Sequence, residues 1–209
     1  MGETPKKTLG LETSEPAVTP PPTDVEKAIE KKPVNPETTR KREIPQGLWT
    51  KCPGCSEMIF DRELEENLNV CGHCNHHFPI SAWTRINSLT ESGSFLEIDE
   101  SMTSVDTLEF TGTAAYAEKL EKHRDKTGLK DAVITGSGNM GEHKVALGVM
   151  DFGFLGGSMG SVVGEKITRV IEMATENNLP AIIISSSGGA RMYEGMFSLM
   201  QLAKTSAAI

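Results

Sequence analysis

Four cysteines within 23 residues constrain this chain more than any other feature. Cys52, Cys55, Cys71 and Cys74 give C-x2-C, fifteen residues, then C-x2-C, a spacing expected of a metal site. Two residues between thiols let a tight turn aim both sulfurs at one ion, and Gly54 and Gly72 sit inside those turns. The intervening stretch, with Met58–Phe60 and then residues 68–70, is long enough for two short strands that bring the second pair opposite the first. Four thiolates at about 2.3 Å close a tetrahedron and leave no open position, so one structural Zn2+ held by these four residues is expected. Iron in the same tetrahedron is the alternative. Disulfides need an oxidising compartment that nothing here indicates. Redox use normally involves one pair beside a βαβ unit. His73, His76 and His77 flank the second knuckle; with four cysteines available, they read as exposed residues or donors to sulfur.

The full chain has 209 residues, enough for one medium domain plus this accessory module. Residues 1–45 hold eight of the eleven prolines and no aromatic residue. Such a segment cannot bury enough apolar surface to offset its ordering entropy, and a disordered tail is expected. The competing transit-peptide reading requires an Arg-rich, acid-poor segment. Here Glu3, Glu12 and Glu15 precede the first arginine, Arg40. Acidic and basic residues balance in residues 1–44, so the whole net charge of −8 belongs to residues 45–209. That argues against a generic cationic nucleic-acid binder, while leaving a local patch open. No run of 18 apolar residues exists to span a membrane, and no apolar signal core opens the chain.

Past the cysteines the pattern becomes that of an α/β domain. A helical linker carries Trp83, Ile86 and Leu89 on one face, and residues 94–130 are mixed and partly polar. Residues 131–135 and 144–152 are β-rich. Residues 161–177 read as a helix, with Ile167, Val170, Ile171 and Ala174 at helical spacing. Ala181–Ile184 is a short apolar strand of the kind buried on both faces. A second helix is expected from about Ala190, carrying Met192, Met196, Leu199, Met200 and Ala203 for a core whose next strand is absent, so that this apolar face is expected to be exposed. Strands with intervening helices imply βαβ crossovers.

Two glycine-rich turns sit at strand ends leading into helices, where this architecture places chemistry. One is Gly153-Phe-Leu-Gly156-Gly157-Ser158-Met-Gly160-Ser161; the other is Ser185-Ser-Ser-Gly188-Gly189-Ala190-Arg191. Glycine permits positive φ and close approach to a ligand. N–H groups in a helix's first turn can hold an anion or a developing oxyanion. One glycine pair alone reads as a tight turn; two on adjacent units, one followed by Arg191, point to a site. Gly156 to Gly160 also fits G-x-S-x-G, but a hydrolase needs a histidine downstream of its serine. The last histidine, His143, precedes Ser158. No G-x-x-x-x-G-K-[ST] phosphate loop is present.

With these features assembled, the sequence resembles the carboxyltransferase β subunits of multi-subunit bacterial and plastid acetyl-CoA carboxylase. The likeness runs from about Ile44 to Ile209. Its markers are Ile44-Pro-Gln-Gly-Leu-Trp-Thr-Lys-Cys52, the four cysteines, Gly156-Gly-Ser-Met-Gly-Ser-Val-Val-Gly164, Ser187-Gly-Gly-Ala-Arg-Met192 and Met200-Gln-Leu-Ala-Lys-Thr-Ser-Ala207. The resemblance implies a ClpP/crotonase-like domain of ββα repeats behind a zinc ribbon. The corresponding expected division is residues 1–45 tail, 46–78 ribbon and 79–209 the first part of the crotonase-like domain.

It further implies transfer of carboxylate from carboxybiotin, on a carrier protein, to the methyl carbon of acetyl-CoA, giving malonyl-CoA. The implied partners are a carboxyltransferase α subunit in an α2β2 heterotetramer, the biotin carboxyl carrier protein and biotin carboxylase. The implied location is the cytoplasm, or the plastid stroma for a plastid-encoded chain, with no membrane partner. By the same resemblance Gly188 and Gly189 are assigned to the acyl oxygen. Arg191 is assigned to a carboxylate or CoA phosphate, and Gly156 and Gly157 to CoA or the helix entrance. Family members continue into a further strand and an Asp-Pro-Thr-Met-Gly-Gly-like turn; this chain stops at Ile209, and a fragment is expected. Two alternatives stay open: another acyl-CoA such as propionyl-CoA as substrate, or a zinc-ribbon regulator that binds nucleic acid.

Overall fold

The structure, a computed structural model, describes residues 48–209. The proline-rich stretch expected to be a tail, and residues 44–47 of the first marker, lie outside the described residues. The ribbon begins with β1 (Trp49–Lys51) paired antiparallel to β2 (Met58–Phe60), Trp49 facing Phe60 and Lys51 facing Met58. A six-residue helix, α1 (Asp61–Glu66), comes immediately after β2 and buries Leu64. The expected second strand at 68–70 is instead a turn. Leu68 and Asn69 have φ of 53° and 60°, and only Val70 bridges, to His77. Glu- and Leu-rich sequence favours helix over strand across 61–66, and asparagine tolerates the left-handed conformation that ends it.

After α2 (Ala82–Leu89), capped by Ser81 Oγ accepting from the Thr84 N–H, come β3 (Leu96–Ile98) and α3 (Tyr116–Thr127). Then β4 (Val133–Met140) and β5 (His143–Met150) form a long hairpin. The helix α4 (Ser161–Glu176) crosses back to β6 (Ala181–Ile184), which pairs parallel to β5. The four-stranded sheet therefore runs β3-β4-β5-β6, with a ββα unit at its centre. Val163, Val170 and Ala174 of α4 pack with Val133, Leu147 and Val149 in one core, so this helix covers the central strands.

Two expectations change here. β6 pairs only with β5 and lies at the sheet edge, so its residues are half-exposed rather than buried on both faces. The last helix does not begin at Ala190. A 3-10 turn at Met192–Glu194 and Gly195, at φ +54°, precede α5 (Met196–Ala207). Its methionines are exposed, as expected: Met192 is 79%, Met196 67% and Met200 60% exposed. The inner face of α5 is polar, with Ser198 and Gln201 buried. Gly164 of α4 lies where any Cβ would strike Gln201. That glycine sets how closely the two helices approach.

Candidate active site and metal centre

The ribbon brings all four cysteines together. Their sulfurs lie within 4.8 Å of one another, with Cys52 and Cys74 Sγ 3.6 Å apart and Cys55 and Cys71 Sγ 3.7 Å apart. A tetrahedron with metal–sulfur bonds of about 2.3 Å has edges of about 3.8 Å, so the cluster already has the size a zinc ion requires. The knuckle backbone supports thiolates. Desolvation opposes ionisation of Cys52, but N–H groups of Cys55 and Gly54, aided by Cys74, bring its thiol down to about 7. The His76 N–H favours the Cys74 thiolate, yet desolvation and three neighbouring sulfurs push that thiol up to about 12. Four thiolates at this spacing need a cation among them. The residues fit a zinc-binding site. Of the three histidines, His73 and His77 are exposed and His76 packs edge-on against Phe78; none supplies a fifth ligand to the cluster.

The two glycine turns, remote in sequence, form one structure. Met159 pairs with Ala190 in a short parallel bridge. The Met159 N–H donates to Gly189 O at 2.8 Å, and the Arg191 N–H donates to Met159 O at 2.9 Å. The Gly188 N–H donates to Gly156 O at 2.8 Å. Gly157, at φ +64°, is buried so closely against the Ser186 carbonyl that a Cβ would collide with it. This glycine therefore lets the two loops touch just ahead of α4. The Gly188 N–H is engaged inside the chain. The donors left at the surface are those of the next two residues. Gly189, at φ +113°, donates only to the Ser187 hydroxyl at 3.1 Å. The Ala190 N–H, on an exposed residue, has no hydrogen-bond partner among the described residues.

Arg191 departs furthest from its expected place. Its side chain is fully buried. Nη2 donates to Asp131 Oδ1 at 2.7 Å and to Ser158 O at 2.9 Å. Nη1 meets Ser104 Oγ at 3.0 Å, Tyr116 Oη at 3.1 Å and Glu194 Oε1 at 3.3 Å, while Nε donates to Ser158 Oγ at 3.1 Å. Every guanidinium nitrogen is engaged, so Arg191 cannot also orient a substrate anion; it clamps one glycine loop to the other. Glu194 completes the network. It accepts from Tyr116 Oη at 2.6 Å and from the Ser161 N–H at 2.6 Å, and so occupies the anion position at the α4 N-terminus. Burial would raise the Asp131 carboxyl, but the Arg191 charge and hydrogen bonds hold it below the usual range. The same holds for Glu194, where the Tyr116 and Ser161 donors outweigh desolvation.

Asp131, Tyr116 and Ser104 were invisible as site residues in sequence, lying 60, 75 and 87 positions before Arg191. Glu194 did carry a signal, because an acid three residues after an arginine is a local pairing candidate.

Residues 80–209 match the family model described as the carboxyl transferase domain. The chain belongs to the carboxyl transferase domain family. Within that family the ββα unit is the shared crotonase-like core, and residues 49–74 match the acetyl-CoA carboxylase zinc finger domain. An acetyl-coenzyme A carboxylase carboxyl transferase subunit beta from Methylacidiphilum infernorum is 56% identical over 178 residues, covering 85% of this chain and 64% of that protein. The subunit of the same name from Citrifermentans bemidjiense is 52% identical over 166 residues, 79% of this chain and 59% of that one. The chain thus spans about three-fifths of the length of these curated relatives. Among solved carboxyl transferase structures, transcarboxylase 12S with methylmalonyl-coenzyme A and methylmalonic acid bound superposes with a TM-score of 0.52 at 29% identity. That match covers 62% of this chain and 23% of that one. No helix among the described residues is long and apolar enough to cross a membrane.

Proposed function

We propose that this chain is the acyl-CoA side of acetyl-CoA carboxylase carboxyltransferase, its β subunit, moving carboxylate from carboxybiotin on a carrier protein to acetyl-CoA. The observation that carries this reading is the pair of interlocked glycine loops, on a chain whose relatives above 50% identity bear that name. In the reaction the N–CO2 bond breaks and a C–C bond forms at the thioester methyl. The methyl proton passes to the biotin nitrogen, and malonyl-CoA is released. The difficult species is the thioester enolate. The Ala190 N–H, with the Gly189 N–H once the Ser187 hydroxyl turns aside, meets the charge on its oxygen; each such donor supplies about 2.7–4 kcal/mol. Arg191 does not touch the reactants. It fixes the register of the two loops through Ser158, Met159 and Asp131, so that these donors are held in place before the substrate arrives. Asp131, Glu194 and Tyr116 act through it, as positioning residues.

The zinc-binding site, held by Cys52, Cys55, Cys71 and Cys74, supplies structure and no chemistry, since a four-sulfur shell leaves no open position. The partners are those the reaction requires: an α subunit for the biotin side in an α2β2 assembly, the biotin carrier protein, and biotin carboxylase to charge it. The test is the exchange of carboxylate between malonyl-CoA and biocytin, with the full-length chain and its α subunit. Both components should be required, and malonyl-CoA should be consumed only when biocytin is present. An assembled complex without exchange would overturn the proposal.

A further inference from the structure

The first glycine loop contains a backbone conformation that needs a hold from outside. Leu155, Gly156 and Gly157 follow one another in the left-handed region, at φ +47°, +66° and +64°. Glycine adopts that region freely, whereas a leucine there is strained. Strain of this kind persists only where the surroundings over-determine it, and it gathers at functional sites. The Leu155 N–H has no backbone acceptor among the described residues. It donates instead to Nδ1 of His123, at 3.3 Å.

His123 is half-buried on α3, 32 positions before Leu155, and has no part in the chemistry above. Its ring centroid lies 5.9 Å from that of Phe154, and the Phe154 ring in turn lies 5.8 Å from the Arg191 guanidinium. The Gly153 carbonyl stands 3.2 Å from the same Nδ1. One nitrogen serves one of these partners at a time, and the tautomer with its proton on Nε2 serves Leu155. The near end of the loop is held separately. Asp151 Oδ1 accepts from the Gly153 N–H at 2.7 Å, while Oδ2 accepts from the Ala82 N–H of α2 at 2.7 Å. Asp151 thus anchors the loop where it leaves β5, and His123 anchors it at the strained residue. The second anchor acts on the other loop. Gly156, next to Leu155, presents the carbonyl that accepts the Gly188 N–H at 2.8 Å, and Gly188 directly precedes the donors of Gly189 and Ala190.

We infer that His123 is a positioning residue of the carboxyl transfer. It holds Leu155 in the left-handed conformation and so aims the Gly156 carbonyl, which sets where the Gly189 and Ala190 N–H groups point. The inference rests on the proposed carboxyltransferase reading and adds to it a residue outside both glycine motifs and outside the Arg191 network. His123 touches no reactant. The Gly189 and Ala190 donors meet full charge only as the enolate forms, so loosening them lowers kcat and leaves KM nearly unchanged.

The experiment uses the full-length chain assembled with its α subunit, in wild-type, His123→Phe and His123→Asn forms. Phenylalanine keeps a ring against Phe154 and removes Nδ1, whereas asparagine returns a polar atom close to the Nδ1 position. In the exchange between malonyl-CoA and biocytin, His123→Phe should lower kcat about tenfold, with KM for malonyl-CoA within about twofold; a 1 Å misplacement near a reacting centre costs up to about 100-fold. His123→Asn should restore kcat to within about threefold of wild type, by the same reasoning. Amide hydrogen exchange in residues 153–160 and 185–191 should quicken in His123→Phe and not in His123→Asn. Unchanged kcat in His123→Phe, an equal loss in His123→Asn, or a His123→Phe complex that fails to assemble would overturn the assignment and leave the carboxyltransferase reading standing. A wild-type complex without exchange of carboxylate would overturn that reading. Amide exchange would then judge the hold on the loop by itself, and equal rates in wild type and His123→Phe would end it.

Discussion

At the scale of single residues the decisive fact is that one guanidinium holds two loops and two carboxylates together out of water. Removing one member of a buried charge pair leaves the other uncompensated, at a cost of about 3–5 kcal/mol. For a chain of this size that corresponds to a fall in Tm of about 10 °C at roughly 2–4 °C per kcal/mol, which differential scanning calorimetry on Arg191→Ala should register. Arg191→Lys keeps the charge and loses the fork, so it should fall between wild type and alanine. Asp131→Ala combined with Arg191→Ala should cost less than the two single changes added together, since neither charge is then stranded. The same network fixes a pH dependence. Asp131 and Glu194 have folded values below their unfolded ones. Their contribution is therefore present above the unfolded carboxyl range, near pH 4, and is lost as pH falls through the folded values. Urea midpoints should drop between pH 5 and pH 3, less steeply in Glu194→Gln; equal slopes in the two proteins would exclude Glu194 from the network. The sequence singles out Arg191 for a substrate anion, whereas the folded chain engages its guanidinium with Asp131, Ser158 and Glu194. Its location after two glycines was visible, but the acid that neutralises it lies 60 positions upstream, and only the fold brings that acid near.

At the scale of elements, legibility tracked the strength of each local pattern. The helix α4 was readable because its buried side chains repeat at helical spacing along sixteen residues. The helix α3 was not, because in twelve residues it buries only Tyr116 and Leu120, too few to show a stripe. Its evidence lay in helix-favouring Ala, Glu, Lys and Arg and in Gly128, which ends it at φ +71°. The ribbon was legible through its cysteines rather than its strands, and this has an energetic consequence. Its buried apolar set is Cys52, Ile59, Leu64 and Cys71, so half of that core is the ligand sulfur itself. Two aliphatic side chains cannot offset the ordering of some thirty residues, and the metal must supply the difference. Chelation of the full-length chain should release one zinc and unfold the ribbon first. The quantities to monitor are metal content and Trp49 fluorescence, with the far-ultraviolet signal of the sheet domain changing later. Cys52→Ser with Cys74→Ser should reproduce the chelated state. X-ray absorption showing nitrogen in the metal's first shell, or a double variant with its ribbon intact, would contradict the four-sulfur assignment.

At the scale of the whole molecule the outward face of α5 stands apart from the rest. Met196, Phe197, Leu199, Met200 and Leu202 are 67%, 46%, 52%, 60% and 57% exposed, and Met192 just before them is 79% exposed. The inward face of the same helix is built from Ser198 and Gln201, the reverse of the usual amphipathic arrangement. The spacing of its methionines and leucines marks an apolar stripe, but periodicity gives the period of such a face and not its direction. Gly164 supplied the missing information, because its closeness to Gln201 turns the polar side of α5 toward α4. Contiguous apolar surface of this kind on a folded chain drives association. The 209-residue chain should therefore associate with rising concentration, as seen by multi-angle light scattering between micromolar and tens of micromolar protein. Leu199→Glu with Leu202→Lys, which changes only exposed positions, should shift it toward monomer without lowering its Tm. A chain that stays monomeric over that range, or an unchanged mass distribution in the double variant, would show that this face is not adhesive. Association abolished together with cooperative unfolding would instead mean that α5 holds the fold through these side chains, against their observed exposure.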